Sequence, residues 1–134
     1  MRRGFILAAA AACALIGVQP AAAQSDEVPF TGTTRVDAAV IRDAVQEILY
    51  FAPRGLKCDT LTGVEASLLP ESWTPADPNF RIGPPGTRYE RWDVSLCGRV
   101  ERFLLGFWTA PDGGTLFQVG YPLPADAPTP LPRP

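Results

Sequence analysis

The sequence predicts an α+β domain in which one N-terminal amphipathic helix packs on an antiparallel β-meander of three to four strands, held by one disulfide. Three observations predict it. Apolar residues recur at helical spacing from Val36 to Leu49. Between Thr87 and Tyr121 they alternate on either side of strong turn signals. A single pair of cysteines, Cys58 and Cys97, remains once an N-terminal leader is set aside.

That leader spans residues 1–23. Met1-Arg2-Arg3 is positive, Gly4 to Val18 is an apolar run, and Ala21-Ala22-Ala23 is the small-residue pattern cut by a signal peptidase, so Gln24 is the expected mature N-terminus. An apolar run of about 15 residues falls short of the roughly 20 that a helix needs to cross a bilayer, and no later stretch approaches that length. No membrane span is expected, and the location predicted is periplasmic or secreted. The competing reading of Ala10-Ala11-Ala12-Cys13 as a lipidation site is disfavoured, because Ala14 to Val18 continues the apolar run where a lipoprotein turns polar.

Cleavage after Ala23 removes Arg2 and Arg3 and leaves ten Lys and Arg against fourteen Asp and Glu, a net charge of −4. Nucleic acid and anionic membranes require clustered positive charge, so neither is an expected partner. About 110 residues remain, enough for one domain with a modest core. In an oxidising compartment Cys58 and Cys97 form a disulfide that closes a loop of about 40 residues, worth roughly 3 to 4 kcal/mol in the chain-entropy model.

Residues 24–33 lack any period and read as a flexible lead-in to a single domain over 34–121. The helix is expected over 34–51. Thr34 with Asp37 resembles a start signal, and Val36, Val40, Ile41, Ala44, Val45, Ile48 and Leu49 form a stripe opposite Arg42, Asp43, Gln46 and Glu47. Pro53-Arg54-Gly55 stops it. Leu61 to Leu69 suits a strand with Val64, Ala66 and Leu68 on one face. Five prolines then make residues 70–86 a long loop, with Trp73 and Phe80 as its anchors.

The meander occupies 87–121. Pro111-Asp112-Gly113 suits a three-residue turn that pairs Ala110 with Gly114 and so places Phe107 opposite Phe117, Leu105 opposite Val119 and Phe103 opposite Tyr121. A two-residue turn at Gly98-Arg99 would set Val94 opposite Phe103 and Trp92 opposite Leu105. The other face then gathers Tyr89, Arg91, Leu104, Trp108 and Leu116, an apolar and arginine-edged set on the side expected to meet water. Those five are the candidate interaction face, unless the chain itself covers them. Residues 122–134 carry six prolines in thirteen positions and read as an extended tail, a spacer or a docking segment.

Glu90-Arg91-Trp92-Asp93-Val94-Ser95-Leu96-Cys97-Gly98, followed by Gly113-Gly114-Thr115-Leu116-Phe117, resembles the E-x-W-x-V-x-x-C-G and G-G-T-x-F pattern of small exported proteobacterial proteins. The resemblance spans about a fifth of the chain. It implies the same leader, helix and disulfide-bridged meander, and it implies no activity.

The chain has no histidine, which excludes serine-histidine and cysteine-histidine catalysis and ordinary zinc sites. No phosphate loop, dinucleotide fingerprint or calcium loop is present, so no cofactor and no metal are expected. Glu90, Asp93 and Glu101 lie near one hairpin with Arg91 and Arg102 available to neutralise Asp93, and they read as a charge-paired surface. The leading functional expectation is a non-catalytic binding module of the cell envelope with an unidentified protein or envelope partner. The second is an inhibitor of a secreted hydrolase that inserts the 70–86 loop, and the third is a carboxylate-based enzyme. Oligomeric state has no signature in the sequence.

Overall fold

The computed structural model describes residues 28–81 and 83–134. The leader, its cleavage site, Cys13 and residues 24–27 lie outside the described residues.

The chain forms β1 (Phe30–Gly32), α1 (Ala38–Gly55), β2 (Leu61–Leu68), a 3-10 turn (Pro78–Phe80), β3 (Arg88–Leu96), β4 (Arg99–Thr109) and β5 (Thr115–Gly120). All five strands lie in one sheet in sequence order, β1 parallel to β2 and every other pair antiparallel. The α+β class and the single helix agree with expectation. The sheet has five strands and is mixed, where three or four antiparallel ones were expected.

The additional strand comes from the segment expected to be a flexible lead-in. Phe30 pairs with Val64, Pro29 O accepts the Val64 N–H at 2.9 Å, and the Phe30 ring meets Trp92 edge-on at 5.1 Å. A three-residue edge strand containing a turn glycine has no periodic signature, and its pairing partners lie more than thirty positions away. Gly32 has φ +87, and a Cβ there would sit 2.1 Å from Ala66 O, so glycine is required twice over. Gly32→Ala should lower stability by about 2 to 3 kcal/mol, read as a fall in urea midpoint at unchanged slope.

The helix begins four residues later than expected. Thr34 and Arg35 are drawn onto a carboxylate of β3, and Asp37 takes the cap, its Oδ1 accepting the Ala39 and Val40 N–H groups at 3.0 Å each. At the other end α1 runs through Pro53, which forgoes one N–H donor, and closes at Leu56 and Lys57, where Lys57 takes φ 56. Ala44, Val45, Ile48 and Ala52 are buried against Val64, Ala66, Trp92, Val94, Phe103, Leu105 and Phe107, which makes the main core on the inner face of the sheet.

The β4–β5 pairing is the expected one, with Phe107 opposite Phe117 and Leu105 opposite Val119; Ala110 N–H donates to Gly114 O at 2.7 Å and Gly113 has φ 92. The β3–β4 turn differs. Its central residues are Cys97 and Gly98, both with positive φ (50 and 77), so Trp92 pairs with Phe103 and Val94 with Glu101. A two-residue tight turn of this hand needs positive φ at both centres. The shift of two positions keeps every side chain on its expected face, because side chains alternate with period two.

Cys58 and Cys97 are bonded, with Cα atoms 6.0 Å apart across a separation of 39 residues. The bridge ties the exit of α1 to the β3–β4 turn, and Cys97 N–H donates to Thr60 O at 3.0 Å beside it.

Candidate interaction surface

Helix α1 covers one face of the sheet. The other face also carries apolar side chains, and the rest of the chain supplies their cover. Leu69, Tyr89 and Leu104 form a second buried cluster, over which Trp73, Phe80, Trp108 and Leu123 pack. Trp73 meets the Tyr89 ring edge-on at 5.5 Å.

Two segments make the cover. The 70–86 loop is pinned by Trp73 and Phe80, as expected, and by local bonds: Asp77 Oδ1 accepts the Asn79 N–H at 2.9 Å, and Arg81 Nε donates to Pro75 O at 3.2 Å. The proline-rich tail crosses the same face. Leu123 N–H donates to Arg102 O of β4, Asp126 Oδ2 accepts the Ala76 N–H of the loop, and Leu131 N–H donates to Leu68 O at the end of β2. Beyond it Arg133 pairs with Glu65. The tail is therefore a docked strap over residues 122–134 and not a free spacer. Leu123 and Leu131, set among prolines, are the one sequence signal of this role.

The five candidate residues consequently meet different fates. Tyr89 and Leu104 are 4 % and 0 % exposed, so they belong to the fold and are corrected from surface to core. Arg91 is half-buried and grips Asp93 with two bonds of 2.7 Å, Nε to Oδ1 and Nη2 to Oδ2. That hydrogen-bonded pairing raises its pKa above the ordinary guanidinium value. Trp108 is half-buried with the backbone of Gly83 on its ring: a Cβ on Gly83 would lie 2.6 Å from it. Leu116, opposite Trp108 on β5, remains 45 % exposed. Of the five, the Trp108–Leu116 pair stays open, and among the described residues Val100, on the same face of β4, is exposed as well (60 %).

Trp108→Ala should accordingly cost about 2 to 3 kcal/mol, below the roughly 3 to 5 of a full core truncation and well above a surface change. Urea denaturation followed by circular dichroism reads the difference.

The carboxylates near the hairpin are engaged structurally. Asp93 holds Arg91 and lies 3.9 Å from Arg102 Nε, as the charge-paired reading expects. Glu101 accepts from Arg99 Nε at 2.7 Å and from the Tyr121 hydroxyl at 2.7 Å, a bond that raises the tyrosine pKa. Glu90 corrects that reading. It is fully buried on the inner face, Oε1 accepting the Arg35 N–H (2.9 Å) and the Thr34 hydroxyl (3.1 Å), and Oε2 accepting Trp92 Nε1–H (2.9 Å). Its alternation with Trp92 and Val94 in the sequence is the signal that places it there.

Among the described residues, no group of three or more potential metal ligands is gathered, and no helix is long and apolar enough to cross a membrane. No known protein family, curated protein or solved structure matches the chain.

Proposed function

We propose that the protein is a non-catalytic binding module of the cell envelope, exported to the periplasm or beyond. The leader pattern, the disulfide and the resemblance to small exported proteobacterial proteins support the location. The observation that carries the function is the pairing of exposed Leu116 with half-exposed Trp108 at an end of the outer face that loop and tail leave open. A chain that covers Tyr89 and Leu104 with two separate segments, and leaves a large apolar pair beside them, retains a surface suited to a partner. The engagement of Glu90, Asp93 and Glu101 in structural bonds supports a binding role over carboxylate chemistry. The inhibitor reading draws on the 70–86 loop, whose apolar residues Trp73 and Phe80 pack inward, and this favours the envelope module.

Site-specific photocrosslinking in intact cells tests the reading. A crosslinker at Leu116 should yield a discrete envelope adduct that the same group at exposed Asp59 does not. An adduct obtained only from Pro85, with a secreted hydrolase, would establish the inhibitor instead. No adduct from Leu116 would overturn the module.

A further inference from the structure

We propose that the free edge of β5 receives an extended segment of a partner protein as a sixth strand, and that this segment seats a large apolar side chain, flanked by a basic residue, in the adjoining cavity. The inference rests on the binding-module reading and narrows it to one edge and one mode.

The first observation is the backbone. Among the described residues β5 pairs with β4 alone. The Ala110–Gly114 bond sets the phase: Leu116, Gln118 and Gly120 direct their main-chain groups to β4, and Thr115, Phe117 and Val119 direct theirs outward. Natural edges are blunted by lysine, proline or very short strands. The opposite edge, β1, is three residues long and follows Pro29. The six residues of β5 include no charge and no proline.

The second observation is the cavity. A space of about 450 Å³ adjoins the C-terminal half of β5, between helix α1 on one side and the 3-10 turn on the other. Phe51, Phe80, Phe103 and Tyr121 line it, with Glu47 as its only charged residue among the described residues. An open row of N–H and C=O groups beside side-chain pockets is the arrangement by which strand addition combines affinity with specificity. The aromatic lining calls for a large apolar side chain, and Glu47 for a neighbouring Lys or Arg. A second copy of the chain fits less well. Paired antiparallel along its length, another β5 would bring Thr115 to Val119 and Gly113 to Tyr121, residues too small to fill the cavity and without charge.

The test screens the disulfide-bonded chain of residues 24–134 against random linear peptides displayed on phage. Enriched peptides should carry Phe, Trp or Leu beside Lys or Arg. On binding they should slow hydrogen exchange of the Phe117 and Val119 N–H groups, which should exchange freely without peptide. Val119→Pro removes an outward N–H and should weaken the peptides about tenfold or more. Glu47→Lys, at an exposed position that leaves the fold intact, should weaken the basic peptides about threefold. The proposal is overturned by an empty screen, by peptides that bind both variants as tightly as the parent chain, by slow exchange of both amides in the free protein, or by a dimer in ultracentrifugation that Val119→Pro dissolves. An envelope adduct from Leu116 that persists in Val119→Pro would refute the edge and leave the module standing; loss of every Leu116 adduct in the parent chain refutes the module itself.

Discussion

Replacing Glu90 with alanine should cost about 3 to 5 kcal/mol, more than any other single polar change in the protein. The side chain is fully buried, and its two oxygens accept from three donors, the Trp92 indole, the Arg35 N–H and the Thr34 hydroxyl. Alanine would leave the buried indole N–H and two part-buried donors without their acceptor, and the indole in particular would forfeit its desolvation without recompense. The loss should spread along the chain. Thr34 and Arg35 lead directly into the Asp37 cap, so freeing them loosens the entry to α1 as well as the end of β3. Glu90→Gln should cost less, about 2 kcal/mol, because one amide oxygen still accepts while the amide NH2 faces a donor. Urea midpoints for the two variants give the ranking, and a Glu90→Ala loss below about 1 kcal/mol would mean that the site is wet. Since small domains are stable by only about 5 to 15 kcal/mol, the alanine variant should sit close to unfolding at physiological temperature.

The second large effect belongs to the disulfide. Cys97→Ser should lower stability by about 3 to 4 kcal/mol, since the bridge closes 39 residues of separation and the unfolded chain regains that freedom. The double replacement of Cys58 and Cys97 should cost only slightly more than the single one, the excess coming from Cys58, which also packs in the main core. A double-mutant cycle checks this: strongly coupled losses are expected, and additive losses would mean that each cysteine acts separately. Cys97 also occupies a turn position with positive φ, where serine is no better suited, so the backbone contribution cancels between wild type and variant.

How far the sequence could be read depends on the range of each contact. The β4–β5 register follows from Pro111-Asp112-Gly113, since a turn and its flanking strands are neighbours in the chain. The inner face follows from alternation, and the helix stripe from its period. The β3–β4 turn was harder because Gly98 is the obvious residue for a left-handed position, whereas Cys97, which takes the other, does not announce it. Strand β1 and the strap over the outer face were beyond local reading. Phe30 needs Val64 to become a strand residue, and Leu131 needs Leu68 to become a docked one. The outer face was recognisable as apolar, but whether Tyr89 met a partner or Trp73 depended on a loop whose prolines say only that it has no period. Glu90 illustrates the same limit: its alternation with Trp92 and Val94 assigns it to the inner face, but the three donors that hold it there come from Thr34, Arg35 and the Trp92 indole, and nothing local announces them.

Thr31 of β1 pairs with Glu65, and Glu65 also binds Arg133 of the strap, so both ends of the described chain converge on one residue near its middle. The order in which the protein can be completed follows from that convergence. As synthesis proceeds from the N-terminus, β2 meets β1 early, yet Leu69, Tyr89 and Leu104 lack part of their cover until Leu123 has been made. Contacts of such sequence separation form late, because loop closure must be met before they stabilise anything. A nascent chain would therefore carry an incomplete apolar face until Leu123 emerges, the condition in which chaperones hold a polypeptide. Among the described residues the strap is the last segment to reach that face, and its docking through Leu123 and Leu131 closes it.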